Sequence, residues 1–234
     1  VLEGPYGGSS GADRGGDDIP TGYNTFFNFV EPGGYDSTPA QRDSIVNWFG
    51  AFEDALYGED YRRPDVGFRA HLDTASSIDH YLLINLSRNV DGLQLSTFMY
   101  RPDTYGKLHL NPVWDFDRSM DSYDSRDDAT SGMWGQQFLW FPRLFSDPEF
   151  NQNFIDRWQE LRRTVLSPAS IENLIDEMAA EITEPVAAAN FARWNASNNR
   201  PRSGGWPAEV AHLKSWLATR AAWLDTQFLS PPVI

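Results

Sequence analysis

Residues 89–117 read NVDGLQLSTFMYRPDTYGKLHLNPVWDFD, and our prediction of the fold starts from this stretch. Two runs within it, 93–101 and 107–113, are rich in strand-forming residues, and the first alternates with a period of two. The connecting residues PDTYG are typical of a turn. The stretch therefore predicts a small antiparallel β-hairpin.

Acidic residues flank the predicted hairpin at its open end. Asp91 comes before the first strand, and Asp115 and Asp117 follow the second. Because a hairpin returns the chain close to its start, we expect these carboxylates to lie near each other. Gathered carboxylates repel and need a cation or a proton, and hard oxygen ligands suit Mg²⁺ or Ca²⁺. We also expect residues 114–117 to be semi-buried, because apolar residues and a proline flank them.

The composition limits the classes of partner. The formal net charge of −14 argues against a nucleic acid or an anionic membrane as the main partner, although a phosphate could still bind through a metal ion. No apolar run approaches the ~18 residues that a membrane-spanning helix needs. The absence of Cys excludes disulfides and thiolate chemistry. The acidic, lysine-poor composition favours an extracellular or cell-surface, bacterial-type protein, and it leaves the oligomeric state open.

Helical periodicity and capping residues predict that the rest of the chain is mainly α. Thr38 and Gln41 form a capping box before the first helix, and Asp73 caps the second. The predicted helices cover 39–57, 74–88, 134–146, 148–166, 168–182, 186–195 and 207–228. We interpret 4–24 as a loop, 1–34 as a Gly/Asp-rich lead-in that ends a missing N-terminal lobe, and 35–234 as one helical lobe.

Several short motifs, taken in order, resemble the CotH kinase family, the atypical kinases named after a spore coat protein. The similarity covers roughly residues 35–229, and its clearest motifs are FRAHLD at 68–73, NVDG at 89–92, PVWDFD at 112–117, DRWQELR at 156–162 and LKSWL at 213–217. The order of an acidic loop, a hairpin and an acidic metal-binding turn is also that of a kinase C-lobe. The resemblance thus implies a helical kinase-like C-lobe, with the N-lobe absent from this chain.

The resemblance also implies a reaction and a set of site residues. CotH kinases transfer the γ-phosphate of ATP to serine hydroxyls of proteins with a divalent metal ion, Mg²⁺ or else Mn²⁺ or Ca²⁺. By similarity, Asp91 stands at the position of the catalytic aspartate and Asn89 at a cofactor-binding position. Asp115 stands at the position of the metal-binding aspartate, and Asp117 is a further candidate metal ligand.

The chain departs from the family pattern at several positions. Asn85 stands where the family usually has Glu, and residues 118–121 replace a run of small residues that ends in Gly. Ser96 occupies the position of the Asn in a standard kinase catalytic loop, and neither lysine is placed to clamp a nucleotide. These departures keep two alternatives open: a non-catalytic, pseudokinase-like surface or binding module, and a carboxylate-pair hydrolase.

Two further groups of residues have a structural interpretation. The polar segment 121–128 does not match the EF-hand pattern, so we interpret it as a solvated loop and leave Ca²⁺ binding open. The four histidines show no metal-ligand spacing, and we interpret them as structural or surface residues.

Overall fold

The fold is mainly α with a small β-sheet, as the sequence predicts. The computed structural model describes residues 2–7, 18–20, 25–31, 36–93, 95–103, 105–122, 125–194 and 202–228, with the backbone alone before Phe27. The strands are β1 (Leu2–Gly7), β2 (Asp18–Pro20), β3 (Thr25–Phe29) and β4 (Phe98–Met99). The helices are α1 (Pro39–Tyr57), α2 (Thr74–Ser87), α3 (Phe141–Leu144), α4 (Pro148–Arg163), α5 (Pro168–Ala180), α6 (Glu184–Trp194) and α7 (Gly205–Phe228).

The four strands form one antiparallel sheet in the order β2-β3-β1-β4. The prediction of a loop over residues 4–24 is therefore wrong at 4–7 and 18–20, which lie in β1 and β2. The register of β1 shifts between Glu3 and Tyr6, which brackets Pro5, a residue without a backbone N–H to donate. Pro20 lies in the edge strand β2, where proline is tolerated. These strands were not predicted because the many glycines and prolines of this region interrupt the alternation of apolar and polar residues.

The predicted hairpin is present but much shorter than the sequence suggests. Tyr100 and His109 pair antiparallel, with N–H···O distances of 3.0 and 2.9 Å in the two directions. The two residues of β4 pair with β1 rather than with the second arm of the hairpin. The strand predicted from residue 93 is wrong, because the described residues 91–93 and 95–97 belong to a turn in which Leu93 adopts a φ of 69°.

Helix α1 has the predicted bounds because its ends are encoded locally. The Thr38 side chain accepts from the Gln41 N–H at 3.3 Å, and the Gln41 side chain accepts from the Thr38 N–H at 2.8 Å. Phe49, Phe52 and Leu56 are buried on one face, as the spacing predicts. Burial of side chains of this size contributes about 1.5–3 kcal/mol each, so this face anchors the first part of the chain.

Helix α2 also begins where predicted and carries the chain toward Asp91. Asp73 caps it, since its Oδ1 accepts from the Ser76 N–H at 2.7 Å. Tyr81 is fully buried and packs against Phe141 and Phe145, with ring centroids 4.4 and 5.1 Å away. The helix is thus a buried element of the core, as its apolar sequence predicts.

The C-terminal helices α4 to α7 match the prediction within a few residues, but the helix predicted over 134–146 is wrong. Only α3, with four residues, forms there. Gly135 and Leu139 adopt positive φ values of 75° and 53°, which are incompatible with a right-handed helix. The apolar spacing in this segment resembles that of a helix, and tertiary packing overrides it.

The chain comprises two compact units. The first unit contains residues 1–85, 90–116 and 133–154, and the second contains 86–89, 117–132 and 155–234. The predicted division after residue 34 stays a prediction. Among the helices that the structure describes, none has both the length and the apolarity of a bilayer-crossing segment.

Candidate active site

Asp91 opens a tight turn in the first unit. Its main-chain carbonyl accepts hydrogen bonds from the N–H groups of Leu95 and Ser96 at 2.9 and 3.1 Å. Within the turn, the N–H of Leu93 donates to Oγ1 of Thr97 at 2.8 Å, and both of these residues are fully buried. The turn is therefore braced from inside by hydrogen bonds that water cannot replace.

Gly92 fixes how closely this turn packs on α2. A Cβ at this position would lie 2.4 Å from Cδ1 of Ile84, closer than atoms of real side chains approach. A larger residue would therefore require the Ile84 side chain to shift, and glycine allows the close packing without that change. Asp91, which directly precedes this contact, is half-buried at the rim of the turn.

Asp115 lies beside the same turn. Oγ of Ser96 donates to Oδ2 of Asp115 at 3.4 Å, while the N–H of Ser96 binds the carbonyl of Asp91. Asp115 is exposed and adopts a φ of 57°, a conformation that Asp tolerates better than most residues. The chain thus brings Asp115 to the turn that Asp91 opens. Their roles as catalytic aspartate and metal ligand stay predictions.

The segment around Asp115 is more exposed than predicted. Trp114 is 55% exposed, and its ring packs edge-on against Phe98 at 5.4 Å instead of inserting into the core. Val113 is 48% exposed, and Asp115 and Asp117 are both exposed. The prediction of a semi-buried segment is therefore wrong for Trp114 and for both acids, whereas Phe116 is half-buried.

Asn89 and Asp117, the two other predicted site residues, belong to the second unit. Asn89 is fully buried, whereas Asp117 is exposed. Only Asp117 of this pair presents its side chain to solvent. The predicted cofactor contact of Asn89 and the predicted metal contact of Asp117 stay predictions.

The oxygen atoms around Asp115 fit a cation of the Mg²⁺ type. Among the residues that the structure describes, no group of three Asp, Glu or His side chains is gathered to hold a metal ion. The described residues therefore show no carboxylate-rich cage of the kind that Ca²⁺ favours. Mg²⁺ keeps several waters and needs one or two carboxylates in addition to substrate phosphates. Asp115 is one exposed carboxylate of the kind that this smaller requirement needs, and its contact with a metal ion stays a prediction.

Asn85, where the family usually has Glu, is a structural residue in the first unit. It is 1% exposed, and its Nδ2 donates to the carbonyls of Tyr81 and Trp134 at 3.0 and 3.2 Å. Its Oδ1 accepts from the N–H of Trp134 at 2.8 Å. A carboxylate could accept from Trp134 but could not donate to either carbonyl. The amide therefore joins α2 to the segment before α3.

Residues 117–132, which we call the acidic loop, lie in the second unit and are held by arginines. Arg220 is fully buried, and its Nη1 donates to the carbonyls of Thr130 and Gly132 at 3.2 and 2.8 Å. Arg88 donates to the carbonyls of Arg126 and Ser131, both at 3.0 Å. These bonds hold the described part of the loop through its backbone carbonyls. Residues 123 and 124 lie outside the described residues.

The acidic side chains of this loop are less solvated than predicted. Asp127 is fully buried, and its Oδ2 accepts from the Ser122 N–H at 2.8 Å. Burial raises the pKa of the Asp128 carboxyl, and the neighbouring Asp121 and Asp127 raise it further. A solvated loop is therefore the wrong description for Asp127, since folding removes that carboxylate from water.

Sequence reasoning missed an ion-pair cluster around Asp121. Oδ2 of Asp121 accepts from Arg202 at 2.7 Å and contacts Nε2 of His212 at 2.5 Å, and Arg202 also donates to Glu209 at 2.6 Å. These residues line a cavity of about 220 Å³ together with Trp206. No local signal predicts the cluster, because Asp121 lies 81 and 91 residues from its two partners. The structural interpretation of the histidines agrees with the contact of His212.

Comparison with known proteins assigns the chain to a family. No curated protein gives a significant match to the chain. The family model described as CotH kinase protein matches residues 24–224, which include the Asp91 turn, Asp115 and the acidic loop. This match covers most of the chain and contains every motif on which the resemblance rests. The protein is therefore kinase-like and belongs to the CotH kinase family.

Proposed function

We propose that this chain supplies the catalytic lobe of a CotH-type kinase, which transfers the γ-phosphate of ATP to a serine hydroxyl of a protein. Family membership supports a kinase-like protein, and one observation carries the proposal further. Asp115 is exposed beside the turn that Asp91 opens, and Ser96 contacts both residues. An acidic group for the hydroxyl nucleophile and a carboxylate for a cation are the two acidic parts that phosphoryl transfer needs.

In this proposal Asp91 acts on the acceptor hydroxyl. Its carboxylate orients the serine and accepts the proton as the serine oxygen bonds to the γ-phosphorus. The bond between the γ-phosphorus and the β–γ bridging oxygen breaks, and ADP leaves with that electron pair. The half-buried position of Asp91 restricts the approach of water to the same carboxylate.

Asp115 holds the divalent cation in this proposal, and exposed Asp117 is the candidate for a second contact. Bound there, Mg²⁺ or Mn²⁺ neutralises the polyphosphate and the charge that develops during transfer. Asp115 needs no pocket of its own for this task, because a cation that arrives with the nucleotide carries most of its ligands with it.

The remaining parts of the proposal concern partners and location. The acceptor is a protein serine, by family resemblance. A nucleic acid is disfavoured by the net charge of −14. We propose an extracellular or cell-surface location, which is consistent with the acidic, lysine-poor composition.

The alternative is a pseudokinase-like binding module without transfer activity. Two observations favour it: Asn85 is committed to core hydrogen bonds where the family usually has Glu, and Asp121 is held in ion pairs. A carboxylate-pair hydrolase has no comparable support.

A transfer assay separates these functions. The protein at its full natural length is incubated with γ-labelled ATP, Mg²⁺ or Mn²⁺ and dephosphorylated casein, and labelled serines are identified by mass spectrometry. We expect transfer by the wild type and by Asp43→Asn, a control at an exposed position of α1. Asp91→Asn should lose activity by about 10²-fold or more, since it no longer accepts the proton. Absence of transfer by a folded wild-type protein with either metal would favour the binding module.

A further inference from the structure

Ser96 connects the two acidic residues of the candidate site. Its N–H donates to the carbonyl of Asp91 at 3.1 Å, and its Oγ donates to Oδ2 of Asp115 at 3.4 Å. One residue thus contacts both the main chain of the predicted catalytic aspartate and the side chain of the predicted metal ligand.

The backbone at Ser96 is held firmly enough to aim its hydroxyl. Ser96 is followed by Thr97, which is fully buried, accepts from the Leu93 N–H and donates its own N–H to the Leu95 carbonyl at 3.0 Å. These bonds close the turn on the interior side. The hydroxyl therefore extends from a braced backbone toward Asp115.

The backbone around Asp115 is not held by the regular hydrogen bonds of a helix, so a side-chain hydrogen bond can help to order this residue. Residues 113–116 adopt no regular secondary structure, and the Asp115 side chain is exposed. Binding of a cation requires the carboxylate to adopt one suitable rotamer, and ordering a side chain has an entropic cost. A hydrogen bond to a charged acceptor narrows this set before the cation arrives.

We infer that Ser96 is a positioning residue, whose hydroxyl fixes the Asp115 carboxylate for cation binding while its amide holds the turn of Asp91. This inference rests on the proposed function, and it assigns Ser96 no contact with the reacting atoms. Removal of the hydroxyl should weaken the binding of the cation and leave the chemical step intact once the cation is saturating.

The first experiment separates metal use from chemistry. Transfer is measured over a range of Mn²⁺ concentrations for the wild type, Ser96→Ala, Ser96→Thr and the control Ser44→Ala, whose serine is exposed on α1. For Ser96→Ala we expect the half-saturating Mn²⁺ concentration to rise about three- to fivefold, because the cation must then order the Asp115 carboxylate without this hydrogen bond, with kcat at saturating Mn²⁺ within about twofold of wild type. Ser96→Thr, which keeps the hydroxyl, should stay within about twofold, as should Ser44→Ala.

The second experiment does not depend on activity. Calorimetry measures Mn²⁺ binding to each variant in the presence of a non-hydrolysable ATP analogue, and thermal melts check that every variant is folded. We expect Ser96→Ala to bind Mn²⁺ about three- to fivefold more weakly and Ser96→Thr to bind like the wild type.

The outcomes distinguish this inference from the proposed function. If the wild type transfers phosphate and Ser96→Ala keeps the wild-type Mn²⁺ dependence, the inference is wrong and the function stands. A fall in kcat at saturating Mn²⁺ with unchanged Mn²⁺ affinity also overturns it. If the wild type binds Mn²⁺ but transfers nothing, the function fails while calorimetry still decides the role of Ser96. If the wild type binds no Mn²⁺, both fail.

Discussion

Acidic side chains meet different environments in the two compact units. In the first unit, Asp115 is exposed at the surface and receives a hydrogen bond from the neutral hydroxyl of Ser96. In the second unit, Asp127 is fully buried, and Asp121 is held by Arg202 and His212. The two groups of acids look alike in the sequence, since both follow turn residues and lie near aromatic side chains.

This difference indicates which acidic side chains are accessible to a ligand such as a cation. A hydrated cation can reach an exposed carboxylate, whereas a buried carboxylate is inaccessible to it and a carboxylate held by arginine is already paired. We therefore expect the acids of the first unit to control activity and the polar residues of the second unit to control stability.

The largest expected effect is at Asp115. Asp115→Asn removes the charge and tolerates the positive φ, so the transfer rate should fall by at least about 10³-fold with an unchanged melting temperature. Asp115→Ala should lose as much activity and also about 1 kcal/mol of stability, because alanine tolerates this backbone less well. Transfer assays and thermal melts of both variants test this. A variant that keeps most of its activity would remove Asp115 from the metal site and favour the binding module.

The next effect is at Arg220 in the second unit. Arg220→Ala should lower the free energy of unfolding by about 3–5 kcal/mol, because it opens a cavity and leaves the carbonyls of Thr130 and Gly132 without this donor. Arg163→Ala, at an exposed position of α4, is the matched control and should change stability by less than about 0.5 kcal/mol. Urea unfolding measures both variants. A small effect at Arg220 would contradict the view that this arginine orders the acidic loop.

His80 tests whether a buried titratable group of the first unit also affects the free energy of unfolding. It is 3% exposed, neither ring nitrogen has a hydrogen-bond partner among the described residues, and burial lowers its pKa from 6.5 to about 4. Between these values the unfolded chain binds a proton that the folded chain does not, so stability should fall as the pH falls from 6.5 to 4. The loss amounts to about 3 kcal/mol. Urea unfolding across this pH range measures it.

His80→Leu is the control for this pH dependence. The variant should be more stable than the wild type near pH 4 and should lose the part of the pH dependence that His80 contributes, since leucine does not titrate. An unchanged pH profile in His80→Leu would show that other groups cause the acid sensitivity.

The smallest expected effect is at Asp128. Its pKa is raised by burial and by its acidic neighbours, so ionisation above that pKa disfavours the folded state. Asp128→Asn should stabilise the protein at neutral pH, by about 0.5 kcal/mol or less because this side chain is largely exposed. The gain should disappear when the pH falls to the carboxyl pKa of the unfolded chain. A loss of stability at neutral pH would show that a favourable contact of the carboxylate outweighs the repulsion.

The parts of the fold that follow from local chemistry could be predicted from the sequence. Helix α1 begins after Thr38 because its capping box involves residues three positions apart, and α2 begins after Asp73 for a similar reason. The family is also recognisable from short motifs in a fixed order. Predictions failed where a backbone conformation depends on distant packing, as at Leu93, Gly135 and Leu139.

The candidate site likewise has features that the sequence predicts and features that it does not. The sequence identifies Asp91 and Asp115 as acids at the two ends of a hairpin, and it offers no sign that Ser96 contacts both. It also offers no sign that Asn85 is committed to hydrogen bonds with Trp134, 49 residues further along the chain. Such contacts require three-dimensional proximity, which no spacing of residue types encodes.

The sequence by itself determined the helical class, the starts of α1 and α2 and the family, and it indicated the acids that we predict to carry the chemistry. These properties depend on side chains within a few positions of one another or on the order of motifs. Only the tertiary structure decided which acids are exposed, which arginines order the acidic loop and how short the hairpin is. Burial and long-range hydrogen bonds belong to the packed chain, because they depend on residues that folding brings together from distant positions.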